Sequence, residues 1–136
     1  MSLPAQTSAR APHLIAVVDE DAPLLNAIRF SLEAEGYSVL TFKDGEGLLD
    51  ADRLEEIACF VVDHRLPALD GRRVIRELRR RGATGRVVMI TTRPQADVRE
   101  ACWDMGIPIV EKPLLGESLN ACIRGLLAGR GGRAVG

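Results

Sequence analysis

The chain is short of cysteine, of lysine, of net charge and of long hydrophobic runs, and each shortage closes off a class of explanation. Its three cysteines, Cys59, Cys102 and Cys122, stand far apart with none of the close spacings of a metal site. Each falls within an expected strand or helix, so they read as small buried hydrophobes rather than as a disulfide framework. A net charge of −1 supplies no overall pull toward nucleic acid or an anionic membrane. No apolar run approaches the roughly 18 residues of a spanning helix. The opening "MSLPAQTSARAPH" lacks the apolar core of a secretion signal, and the expected location is the cytoplasm. There is no internal repeat.

What is present is enough for one domain. The 136 residues are 46% hydrophobic, which fits a packed core and excludes disorder. From residue 14 the chain alternates short apolar runs with helical patterns. "LIAVV" (14–18), "YSVLTF" (37–42), "ACFVV" (58–62), "RVVMIT" (86–91) and "IPIVE" (107–111) read as strands. Between them, helices are expected from Asp21 to about Glu35, over Gly45–Asp50, from Asp70 to Gly82, over Gln95–Met105 and over about Leu115–Ala128. Several strands lack polar alternation, so they belong to a parallel sheet covered on both faces. Residues 1–12 and 129–136 have no periodicity and are expected to be flexible segments around a domain of residues 13–128.

Open α/β sheets carry their sites beyond the carboxyl ends of the strands, and those ends are chemically pointed here. The first strand runs into Asp19-Glu20-Asp21, the third into Asp63, the fourth into Thr91-Thr92 and the fifth into Glu111-Lys112-Pro113. Two carboxylates about 4 Å apart repel by about 4 kcal/mol at the effective dielectric near a protein surface. A convergence of Asp19, Glu20 and Asp63 therefore needs a cation. Oxygen ligands without His or Cys point to Mg²⁺. Magnesium beside a carboxylate, a hydroxyl and an ammonium is phosphoryl-transfer chemistry, with the carboxylate as nucleophile. The chain has 16 Arg and only 2 Lys, so a lysine at position 112 suggests that a compact ammonium matters there.

The motifs "VVDED", "DHRLPALDG", "ITT" and "EKP", in this order at four strand ends, resemble those of the receiver domain of two-component response regulators, over roughly residues 13–128. The resemblance implies a flavodoxin-like, doubly wound α/β fold with a five-stranded parallel sheet in the order 2-1-3-4-5. It implies a phosphoacceptor rather than an enzyme. Asp63 would take a phosphoryl group from a sensor histidine kinase or a histidine phosphotransfer protein. Asp19, Glu20, Asp63 and the backbone carbonyl of Arg65 would hold Mg²⁺. Thr91 and Lys112 would contact the phosphoryl group, and Pro113 would follow a cis peptide bond. With no output domain expected after residue 128, the signal would leave through contact with a downstream protein or by passing the phosphoryl group back to another histidine. The face of the fourth helix, fifth strand and fifth helix is the family's usual contact surface, and a homodimer there is one expectation.

Some positions depart from the pattern. Glu20 stands where many relatives have Asp, and Ile109 where an aromatic usually sits three residues before the lysine. The latter motivates an alternative, a binding module that regulates a partner without phosphorylation. A small aspartate-nucleophile phosphatase would want an acid at position 65, which is Arg. Arg65, Thr92 and Arg93 are bulky for a fast-cycling site and would lengthen the life of a phosphoryl bond. The arginines between Arg72 and Arg81 read as the solvated face of an amphipathic helix, not as a nucleic-acid surface.

Overall fold

Each strand of the central sheet sends alternate side chains to opposite faces, and both faces are apolar. The computed structural model describes residues 13–129; the expected flexible segments lie, but for Gly129, outside this range. The elements run β1 (Leu14–Val18), α1 (Ala22–Ala34), β2 (Ser38–Phe42), α2 (Gly45–Leu49), a 3₁₀ turn (Leu54–Glu56), β3 (Cys59–Asp63), α3 (Gly71–Arg80), β4 (Arg86–Thr91), α4 (Ala96–Met105), β5 (Ile109–Glu111) and α5 (Ser118–Leu127). All pairings are parallel and the order is β2-β1-β3-β4-β5, as expected.

Ala16, Val18, Phe60, Val62, Val87 and Met89 pack on one face against α2, α3 and α4. Ile15, Val17, Cys59, Val61, Val88 and Ile90 pack on the other against Leu25, Ile28 and Leu32 of α1 and Leu119, Ile123 and Leu126 of α5. Burial on both sides explains why β1, β3 and β4 read as unbroken apolar runs. The cysteines are free; Cys59 and Cys102 are buried and Cys122 half-buried. Burial pushes the Cys59 thiol up to about 12, which keeps it an inert packing group.

Helix starts follow the sequence closely. Leu24 N–H donates to Asp21 Oδ1 at 3.1 Å, Gly47 N–H to Asp44 Oδ1 at 2.7 Å and Arg73 N–H to Asp70 Oδ1 at 3.0 Å, each satisfying an orphan donor of a first turn. Among the boundaries that differ from expectation, two have a clear cause. The fifth strand begins at Ile109 rather than Ile107, because Ile107 N–H donates to Cys102 O at 2.8 Å and closes α4 beyond the left-handed Gly106. The last helix begins at Ser118 rather than Leu115. Gly116 has φ +59°, a left-handed conformation that cannot belong to an α-helix.

Candidate functional site

Of the polar residues buried in the described chain, Asp19, Asp63 and Thr91 all sit at the carboxyl ends of strands, at 1%, 4% and 1% exposure. Asp63 is the last residue of β3 and stands in register with Ile90. It is thus inside the sheet, one residue later than the apolar run alone suggested. Thr91 ends β4 opposite Glu111. Asp19 follows β1, and its N–H donates to Phe42 O at 3.1 Å, which continues the sheet one residue further.

Lys112 joins them. Its Nζ lies 2.8 Å from Asp19 Oδ2 and donates to Asp63 Oδ2 at 3.2 Å. The contact with Asp19 is an ion pair without hydrogen-bond alignment, so Asp19 Oδ2 is buried and lacks an aligned donor among the described residues. The remaining carboxylate oxygens are held by backbone. Asp21 N–H donates to Asp19 Oδ1 at 2.9 Å and Arg65 N–H to Asp63 Oδ1 at 3.3 Å. Lys112 N–H donates to Thr91 O at 2.8 Å, so the lysine and the threonine share one joint. The Lys112–Pro113 peptide is cis.

One ammonium facing two carboxylates leaves surplus negative charge. Burial first, then the charge of Asp19, push the Asp63 carboxyl above its ordinary value, against the pull of Lys112 and of the Arg65 N–H. For Lys112, burial alone would depress the ammonium, but its contacts with Asp19 and Asp63 outweigh that and hold it above 10.5. A pair of buried, oxygen-only ligands with one ammonium between them, and so with surplus negative charge, fits a small hard dication. Glu20 is exposed and does not close with them. Among the described residues, no three His, Cys, Asp or Glu side chains form a ready-made metal cage.

The loop after Asp63 is pinned at both ends. His64 N–H donates to Ile90 O at 3.0 Å and Gly71 N–H to His64 O at 2.8 Å. A Cβ at position 71 would stand 2.6 Å from the Asp63 carbonyl oxygen and 2.9 Å from His64 Cα. Only glycine lets α3 begin this close to the acid.

Beside the acidic cluster, past Thr91, lies a cavity of about 120 Å³ lined by His64, Arg65, Arg72, Thr92, Arg93 and Asp97, among others. Arg93 has φ +49°, a left-handed conformation that costs a non-glycine residue about 1–2 kcal/mol. His64 Nδ1 and Arg72 Nε are shielded from solvent, and neither has a hydrogen-bond partner among the described residues. Such groups cost about 1–3 kcal/mol each when left unmet. The sequence grouped Arg72 with the solvated arginines of α3. Arg73, Arg76 and Arg80 are indeed exposed, but Arg72 turns to the cavity. The signal that separates it is position. Arg72 is one residue past Gly71, on the side of the helix start that faces β4.

No described helix is long and apolar enough to cross a membrane. Comparison with known proteins agrees with the geometry. The model of the response regulator receiver domain matches residues 15–124. The response regulator MprA of Mycolicibacterium vanbaalenii is 36% identical over 117 residues, which are 85% of this chain and 51% of that protein. The alkaline phosphatase synthesis transcriptional regulatory protein PhoP of Bacillus subtilis is 29% identical over 83% of this chain and 48% of its own. The chain thus spans about half the length of these curated relatives. A CheY-like receiver domain protein from Methanospirillum hungatei superposes with a TM-score of 0.77 at 22% identity, covering 87% of this chain and 95% of that one. A receiver domain from Clostridium thermocellum does so at 0.77 and 25%, over 86% and 95%. With its sheet order and its strand-end cluster on the page, the chain is a member of the response regulator receiver domain family of two-component systems.

Proposed function

We propose that Asp63 accepts a phosphoryl group from a phosphohistidine of a sensor histidine kinase or a histidine phosphotransfer protein. The observation that carries this reading is the pair of buried carboxylates, Asp19 and Asp63, facing a single ammonium at 2.8 and 3.2 Å. Two carboxylates gathered at the ends of buried strands, at a cost in burial and mutual repulsion, are placed to act rather than to stabilise.

In the reaction, an oxygen of Asp63 attacks phosphorus as the phosphorus–nitrogen bond of the donor breaks. The electron pair leaves with the imidazole, and an acyl phosphate forms on Asp63. Lys112 offsets charge on the phosphoryl oxygens, and the Thr91 hydroxyl donates to one of them. Asp19, Asp63, Glu20 and the backbone carbonyl of Arg65 are the groups that would hold Mg²⁺, which would supply further charge compensation. Water later attacks phosphorus, phosphate leaves and the carboxylate returns. The chain is thereby a phosphoacceptor that turns over only its own phosphoryl bond. On this reading the chain works in the cytoplasm. Its output is contact with a downstream protein, with α4, β5 and α5 as the face that a second copy would use.

The test is an intact mass after incubation with Mg²⁺ and acetyl phosphate, beside Asp63→Asn. The parent should gain one phosphoryl group and the variant none. If neither acetyl phosphate nor a phosphorylated histidine phosphotransfer protein labels the parent, the acceptor reading fails. Full binding of a partner by Asp63→Asn would instead favour regulation without phosphorylation.

A further inference from the structure

We infer that the cavity between the β3–α3 and β4–α4 loops, which shares Thr91 with the acidic cluster, binds a small free oxyanion of the phosphate class on its arginine side. It lies next to the acidic cluster but has the opposite character. Three guanidinium side chains, Arg65, Arg72 and Arg93, line its roughly 120 Å³ together with the His64 ring and the Thr92 hydroxyl. These groups are donors or can become so. The opposing charge is Asp97, and it is partly occupied elsewhere. Its Oδ1 accepts from Val98 N–H at 2.9 Å, and its Oδ2 lies 3.9 Å from an outer nitrogen of Arg72. A cavity with three cations against one committed carboxylate calls for an anion.

A further observation points the same way. Arg93 holds a left-handed backbone conformation, a strain that persists where the surroundings use the side chain's position. Phosphate, with four oxygens, can meet several of these donors at once, and guanidinium forks suit it. The inference does not require Asp63 to be phosphorylated.

The experiment is a ¹H–¹⁵N NMR titration of the parent protein in EDTA, with no phosphodonor and at constant ionic strength. Inorganic phosphate is added in one arm, acetate in a second and chloride in a third. Phosphate should give saturable shifts at the amides of Thr92, Arg93, Asp97 and Val98, and chloride should not. Arg72→Gln should weaken binding by about tenfold, the effect of losing one charge-assisted contact. Arg76→Gln, exposed on the same helix, should change it by less than about twofold. Should Arg72→Gln disturb α3 in the same spectra, Arg93→Gln on the loop takes its place. Saturation by phosphate alone assigns the site to a tetrahedral dianion; equal saturation by acetate widens it to carboxylates. Shifts that never saturate, or that survive the arginine substitutions unchanged, overturn the inference. With metal and phosphodonor absent, neither result bears on the labelling of Asp63.

Discussion

Replacing Lys112 by Met removes the ammonium that stands between two buried carboxylates, and the size of the loss can be worked out beforehand. Asp19 Oδ2 and Asp63 Oδ2 are separated by at most the sum of their distances to Nζ, about 6.0 Å. At an effective dielectric of about 20, two negative charges at about 6 Å repel by about 3 kcal/mol, a repulsion that the parent's ammonium offsets and the variant leaves standing. The loss has a ceiling, because the site can take up a proton instead. Protonating a carboxyl of ordinary value 3.8 at pH 7 costs about 4 kcal/mol, at about 1.4 kcal/mol per unit. Lys112→Met should therefore lose about 3–4 kcal/mol at pH 7 relative to the parent. At pH 5 the same ceiling is only about 2 kcal/mol, and the loss should shrink with it. The sign follows from linkage. A carboxyl raised above its unfolded value binds its proton more tightly in the folded state, so stability is highest below 3.8 and falls as pH rises toward the folded value. Urea denaturation in EDTA at the two pH values measures both losses. Adding Asp63→Asn to the lysine variant should return about 3 kcal/mol at pH 7, and Asp63→Asn alone about 1 kcal/mol, since burial and Asp19 already disfavour that charge. An equal loss at pH 5 and pH 7, or none at pH 7, would refute the electrostatic account.

Three other outcomes are expected. Mg²⁺ should raise the melting temperature of the parent, by the equivalent of about 2.7 kcal/mol at one hundred times its Kd, and leave Asp19→Asn and Asp63→Asn unmoved; calorimetry with and without EDTA checks this. Gly71→Ala should cost about 2–3 kcal/mol by overpacking, since its methyl would meet the Asp63 carbonyl and His64 Cα; a urea midpoint equal to the parent's would contradict the close approach. Arg65→Ala and Arg93→Ala should each shorten the lifetime of phosphorylated Asp63 by about fivefold, or about 1 kcal/mol of barrier, as read by intact mass over time. Unchanged decay would mean that these side chains do not obstruct water.

Most of the fold was legible because its signals are local. The apolar runs of β1, β3 and β4 reflect burial on two faces, and Asp21 and Asp70 cap helices from their own turns. The convergence of Asp19, Asp63, Thr91 and Lys112 was legible from strand order, since a parallel sheet brings its carboxyl ends to one edge. What escaped was decided by backbone between elements. Ile107 has the apolar character of a strand residue, yet its N–H is committed to α4. Leu115 continues a helical stripe, but Gly116 turns the chain left-handed first. Glu20 stands next to Asp19 in sequence and outside the buried pair in space, because adjacent residues past a strand point apart. Arg72 was lost among its neighbours, for a run of arginines gives no hint of which one faces inward.

The close approach of Gly71 also bears on how this segment can change over evolutionary time or at the bench. With His64 fixed to β4 and Gly71 fixed to His64, the seven residues from His64 to Asp70 form a closed loop of set length. Substitutions at exposed Pro67 and Ala68 leave those two anchors in place. An insertion or deletion does not, because it moves the start of α3 relative to the acid. Transplanting the acceptor into another parallel sheet therefore means carrying the loop through Gly71, and accepting at the other end a strand partner for the His64 amide.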